Sequence, residues 1–319
     1  SLLDPDARAA RVACGAAFTN LALTAARDGF RTEVEWEPDP AQPDVLFQCR
    51  FHAHSGLRAD PLAAFVPLRC TNRRVAERRV LAPGVLETLQ REAESSGAGL
   101  LVQDTPAALD SIGQVLGELE RVRIFSEPFY REMMGELADA ADAPLGIALD
   151  TLELTGADRA ALQIVRRRDV VSLLRREQRG DALIELSHKP VRSASAVCML
   201  HVAGETTLAA LSGGVALQRV WLRATQLGIA FQPISAGLYM LQQLRRVAGP
   251  GELPAWERAQ LERLRAPFER CFALPKAHSG ILIFRLFEAD APSARSSRLP
   301  VGEVLRRSSV ALRRPHAAE

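Results

Sequence analysis

The sequence predicts an α+β protein, and three stretches carry that prediction. Residues 212–236, SGGVALQRVWLRATQLGIAFQPISA, read as an interior helix that stops at a glycine and feeds a strand. Residues 193–201, SASAVCMLH, and 280–288, GILIFRLFE, are short, nearly continuous apolar runs, the pattern of strands buried on both faces.

In the first stretch Val215, Leu217, Val220, Trp221, Leu222, Ala224 and Leu227 take up most of the helix circumference, which marks an interior helix. Only Arg219 and Arg223 are charged there. Four residues apart, they share one face, and that face must reach water or an anion. Gly228 supplies the helix stop, because glycine takes the left-handed cap without steric cost, and a strand over 229–234 follows.

From the start of the chain, residues 14–28 form an alanine-rich helix stopped by Gly29, and 31–37 alternate as a half-buried strand. A shift of 199 positions lays Gly15 on Gly214, Ala17 on Ala216, Leu23 on Leu222, Ala25 on Ala224 and Gly29 on Gly228. Two readings fit: unrelated buried helices with ordinary glycine caps, or an internal duplication whose halves each give a central helix to one core. A loop over 38–44 leads to a strand over 45–54, where His52 and His54 share a face as solvated histidines with no third metal ligand nearby.

Residues 67–74, PLRCTNRR, form a dense polar cluster before an amphipathic segment over 84–94. Thr71 or Asn72 is placed to cap a helix. Such clusters are usually solvated surface, yet this one combines hydroxyl, amide and guanidinium groups after an apolar approach, the set that a phosphate ester needs. Residues 100–103 form a short strand, 106–121 and 129–140 two helices, and 143–154 a loop. The basic stretch 158–179 reads as one solvated helix; it lacks the interleaved aromatics of a nucleic-acid face. After residue 236 come a helix over 238–247, a Gly-Pro-Gly break at 249–251, a polar helix around 257–270, and a basic, proline-containing tail from 289 to 319.

Composition narrows the function. With 47% hydrophobic and 24% charged residues in 319, the chain is long and apolar enough for a sizeable folded core. A net charge of +2 gives nucleic acid or an anionic membrane little to attract, so neither is expected as a partner. Lys189 and Lys276 are the only lysines, and neither has a setting suited to Schiff-base chemistry. The five cysteines are scattered and never paired as CxxC, which excludes a disulfide framework or a zinc site. No stretch reads as a membrane span or signal peptide, so a cytoplasmic location is expected; the start at Ser1 without methionine suggests a piece of something longer. There is no Walker loop, no strand followed by GxGxxG, no GxSxG elbow and no carboxylate pair in an apolar setting.

Three clusters remain: residues 69–73, the turn after the central helix, and residues 296–298. In that order they resemble the FMN-dependent nitroreductase superfamily over residues 67–305. Arg69-Cys-Thr-Asn-Arg73 is similar to that family's N-terminal Arg-x-Ser/Thr-x-Lys/Arg signature, the central stretch to its long core helix with the Pro-Ile turn, and Ser297-Arg-Leu-Pro300 to its C-terminal arginine segment. The resemblance implies an antiparallel-rich mixed sheet flanked by helices, FMN as cofactor and NAD(P)H as electron donor to a small electrophilic acceptor. It implies that Arg69, Thr71 and Arg298 hold the flavin phosphate and ribityl oxygens, and that Arg73 lies near the pyrimidine edge. Pro233, Ile234, Ser235 and Ala236 would form a strap beside the isoalloxazine. Cys70 departs from the pattern, replacing the usual second basic residue.

The family's members are homodimers, and the matching helix-strand units would let one chain imitate that dimer. The implied division is a partial first half over 1–55 and a second half over 56–319 with a lid-like helical insertion at about 106–190. Either a homodimer or a pseudo-dimeric monomer follows. The resemblance extends to a divergent duplicated branch, some of whose members are fused behind an adenylylating domain related to ubiquitin-activating enzymes. That branch opens with a motif that would lie before Ser1. A flavin-sequestering or non-catalytic partner domain is the alternative reading, and a degenerate scaffold a third.

Overall fold

The fold is a computed structural model that describes residues 3–37, 39, 41–138, 145–245 and 253–306. The Gly-Pro-Gly break at 249–251, the tail beyond 306 and parts of the expected loops at 38–44 and 143–154 lie outside the described residues.

Helix α1 (Arg8–Arg27) opens the chain, with the Asp4 carboxylate accepting from the Ala9 and Ala10 amides, both at 2.9 Å. Gly29, at φ 85°, turns it into strand β1 (Phe30–Trp36), which pairs antiparallel with β2 (Phe47–Ala53). Phe18, Trp36 and Phe47 meet edge to face between them. An extended run over 69–82 then precedes α2 (Val85–Ser95) and β3 (Gly99–Gln103). The run caps no helix. Asn72 instead accepts from the Arg74 amide and donates to Asp290 O, and α2 begins at Gly84 in the left-handed region.

Thr105 caps α3 (Pro106–Phe125) and Ser126 caps α4 (Glu127–Gly135), each with proline in the first turn, where its missing N–H costs nothing. Short parallel strands β4 (Leu137–Ala138) and β5 (Ile147–Ala148) follow. The expected single basic helix is two, α5 (Gly156–Val165), opened by a Thr155–Asp158 capping box, and α6 (Arg168–Arg176). Tertiary contacts break it and take two of its arginines out of solvent: Arg168 stacks 4.1 Å over Tyr130 and donates to Ile124 O, and Arg175 stacks 3.9 Å over Trp256.

Helix α7 (Glu185–Arg192) leads to β6 (Ala196–Ala203), then α8 (Thr207–Gln226), β7 (Ala230–Pro233), α9 (Ala236–Gln242), α10 (Ala255–Cys271), β8 (His278–Phe287) and the short α11 (Val301–Val304). The main sheet is antiparallel throughout, in the order β3-β6-β8-β7. Alternate residues of β6 divide between two cores, with Cys198, Leu200 and Val202 facing α8 and α2, and Val197 and Met199 facing α3, α9 and α10. The architecture is α+β, an antiparallel sheet flanked by helices. The first helix of the expected lid is a core layer, because Leu109, Ile112, Leu116 and Leu119 of α3 are buried beneath the sheet.

The two helices that match in sequence pack on each other. Their bounds coincide under the same shift of 199 positions, Arg8–Arg27 against Thr207–Gln226. Their closest contacts are reciprocal: a Cβ at Gly15 would lie 2.0 Å from Leu211 O, and one at Gly214 would lie 2.0 Å from Val12 O. Only glycine permits backbones this close. Helix α1 is also long and apolar enough to cross a membrane by length and composition, contrary to the expectation that no stretch is. Here one of its faces covers α8.

Candidate functional site

The arginine face of α8 finds its anion inside the protein. Glu92, 7% exposed on α2, accepts from Arg219 Nε at 2.7 Å and from Arg223 Nη2 at 2.8 Å, and Asp60 takes Arg219 Nη1 at 2.9 Å. Both arginines are thereby structural. Neither guanidinium is left to receive a ligand.

Arg69 is different. Its guanidinium lies 4.2 Å over the Trp221 ring, which stacks on Phe231 at 4.2 Å, which stacks in turn on Phe284 at 4.1 Å. It makes no ion pair with a carboxylate among the described residues. Burial depresses its basicity, and the charges of Arg298 and Arg295 depress it further. Arg295 is itself tied to the run, donating to Leu68 O and, at 3.3 Å, to Pro67 O. A guanidinium on an aromatic floor, flanked by two like charges and lacking an acid, is arranged to receive an anion.

The remaining expected residues lie close in sequence to this cluster but are used unequally. The Thr71 hydroxyl has no hydrogen-bond partner among the described residues. Arg73, its basicity lowered by burial, donates to Thr151 O at 3.2 Å. Asn72 N donates to Phe231 O at 3.0 Å, which fastens the run along the free edge of β7. Pro233 ends β7 opposite Phe284, and Ile234 N donates to Ile283 O at 2.8 Å. Ser235 Oγ donates to Ile283 O at 2.9 Å and accepts from Ile283 N at 2.8 Å, so the hydroxyl is committed to β8. Ala236 starts α9, and the exposed Arg298 donates, among the described residues, only to the neighbouring carbonyls of Ser296 and Ser297. The fold thus gathers Arg69 and Arg298, and spends Arg73 and Ser235 on internal bonds.

Sequence reasoning missed Arg295, Trp221 as the floor, and Arg285. Arg285 is fully buried in β8, donating to Arg74 O at 2.6 Å, Pro190 O at 3.2 Å and Gln232 Oε1 at 2.5 Å, and lying 4.0 Å over Phe287. Burial lowers its pKa to about 9, which leaves it charged at neutral pH. The signal was present as one arginine inside the apolar run GILIFRLFE.

Comparison with known proteins places this geometry in context. No family model matches the chain. The chain is 33% identical over 302 residues to the uncharacterized protein MT1398 of Mycobacterium tuberculosis, covering 93% of this chain and 42% of that protein. Among solved structures it resembles an FMN-bound nitroreductase of Bacteroides fragilis (12% identity, 78% of this chain, 100% of that one, TM-score 0.43). It also resembles an FMN-dependent nitroreductase of Mycobacterium smegmatis in complex with NADPH (15%, 77%, 98%, TM-score 0.40). A third is the NADPH:FMN oxidoreductase of Vibrio harveyi complexed with NAD+ (10%, 79%, 79%, TM-score 0.42). These are likenesses of chain course; the chemistry of the site rests on this chain's own residues.

Proposed function

We propose that this chain is a nitroreductase-like oxidoreductase domain that binds FMN and passes electrons from NAD(P)H to a small electrophilic acceptor. One observation carries the reading: Arg69, without a carboxylate partner, sits beside Arg298 and Arg295 at the run that borders β7. That donor set fits the dianionic phosphate of a flavin mononucleotide, and the unpartnered Thr71 hydroxyl adds a neutral donor beside it. Arg69 would hold the phosphate from its Trp221 floor, Arg298 would close on it from the chain's C-terminal segment, and Arg295 would keep that segment in place. Flavin, when bound, supplies the hydride and electron chemistry. The Pro233–Ala236 strap would contribute shape and backbone, since the Ser235 hydroxyl is already engaged by Ile283.

The test is direct. Purified protein mixed with FMN should retain flavin absorbance through gel filtration, and the double variant R69A/R298A should weaken FMN binding at least about 100-fold, in line with two charge-assisted contacts. Protein that retains no flavin refutes the reading. The second reading, a flavin-holding but non-catalytic partner domain, draws support from the internal engagement of Arg73 and Ser235. Flavin retention without NAD(P)H oxidation in the presence of quinone or nitroaromatic acceptors would select it.

The two matching helices support a pseudo-dimeric monomer arising by internal duplication, which sedimentation of the isolated chain tests. The chain spans 42% of the length of the curated relative it matches, so the activity of the whole protein belongs to the same proposal. So do the fused adenylylating domain and the cytoplasmic setting.

A further inference from the structure

A cavity of about 620 Å³ that Arg69 does not line opens along residues 74–79 of the run, between the body and the helical insertion. The run contributes Arg74, Glu77 and Arg79, the insertion Glu153, Asp158 and Lys189, and the segment after β8 Glu288 and Asp290. Its two walls are held in register from below. The buried Arg285 guanidinium grips the carbonyl of Arg74 in one wall and that of Pro190, beside Lys189, in the other.

Internal pairing uses part of this charge. Arg74 lies 3.9 Å from Glu153, Arg79 lies 3.9 Å from Glu288, and Asp158 is held ionised by the Thr155 hydroxyl and amide of its capping box and, to a smaller extent, by the charge of Lys189. Three side chains remain without a hydrogen bond or ion pair among the described residues: the ammonium of Lys189 and the carboxylates of Glu77 and Asp290. One cation and two carboxylates without a hydrogen bond or ion pair among the described residues thus border one polar cavity, the cation within electrostatic reach of Asp158. A simple anion would meet five carboxylates against three cations, and an apolar ligand would strip water from groups it cannot satisfy.

We propose that this cavity binds a small ligand carrying both an ammonium and a carboxylate, of the amino-acid or short-peptide class. Lys189 receives the carboxylate, and Glu77 and Asp290 receive the ammonium. The proposal is independent of the flavin reading, because it uses none of Arg69, Arg295 or Arg298.

Calorimetric titration of the full chain with glycylglycine tests it. Glycylglycine should bind, whereas N-acetylglycine, lacking the ammonium, and glycinamide, lacking the carboxylate, should each bind at least about tenfold more weakly. Lys189→Met should cost glycylglycine about tenfold, as should the double variant Glu77→Gln/Asp290→Asn; all three residues are exposed, so the fold should survive, which circular dichroism checks. R69A/R298A should leave this binding unchanged while weakening that of FMN. No binding of glycylglycine, equal binding of the blocked compounds, or wild-type affinity in Lys189→Met overturns the proposal.

Discussion

Helices α1 and α8 begin and end at matching positions, both end at a positive-φ glycine and both feed a strand, yet eleven residues of α8 are buried and only four of α1. The cause lies outside the helices. The sheet and α2 enclose α8, which spends the rest of its surface on α1 and on the Glu92 and Asp60 pairs of its two arginines. Helix α1 has α8, the β1–β2 ribbon and the short turn at Pro61–Phe65, and Leu21, Phe30 and Phe51 of that unit stay exposed. Equal apolar patterning therefore sets what a helix can bury, and the strands brought against it decide what it does bury.

The strongest way to break this comparison is at the crossing. Gly15→Ala and Gly214→Ala would each drive a methyl group to 2.0 Å from a carbonyl oxygen of the other helix. Each should lower stability by about 3 kcal/mol in denaturant titrations, and the double variant by less than the sum, because the first methyl already separates the helices. A mild Gly15→Ala beside a severe Gly214→Ala would mean that α1 docks loosely, and the two units would not be equivalent partners.

That crossing was partly legible in advance, since the shared glycines gave the match; the reciprocal closeness of Gly15 and Gly214 is tertiary and has no local signal. The buried strands were legible for the same reason, their runs being too apolar for any surface. The fate of Arg219 and Arg223 was legible only as a need for an anion, because Glu92 is 127 residues away on a helix of ordinary amphipathic pattern. The helix break at 166–167 was not legible, as arginine is a good helix former and the break comes from Tyr130 and Ile124. In the site, side-chain type identified Arg69 and Arg298. It could not show that Ser235 and Arg73 are spent on the carbonyls of Ile283 and Thr151, since backbone partners leave no mark in a sequence.

A smaller effect sharpens the comparison at one pair of matching positions. Leu23 and Leu222 correspond under the shift and meet in one cluster with Leu62 and Ala63, at 6% and 0% exposure. Leu222→Ala should cost about 3 kcal/mol and Leu23→Ala about 2, the difference reflecting how far each surround can relax. Equal costs would indicate that α1 is as rigidly enclosed as α8 at this end.

The smallest effect belongs to the strand that precedes α8 and has no described counterpart before α1. His201, 6% exposed at the end of β6, faces His278 with the two Nδ1 atoms 2.8 Å apart, so one ring donates and the other accepts. Burial, and secondarily the charge of His278, hold the His201 pKa below its ordinary 6.5. The folded state therefore binds this proton less readily than the unfolded chain does. Its contribution to stability is complete above pH 6.5, falls as pH drops through that value, and levels off below the folded pKa. Denaturation midpoints from about pH 7 to 5 should decline, and His278→Gln, which keeps a hydrogen-bonding partner but removes the second charge, should shrink that decline. An unchanged slope in His278→Gln would assign the acid sensitivity elsewhere and leave the His201–His278 pair without a part in the difference between the two units.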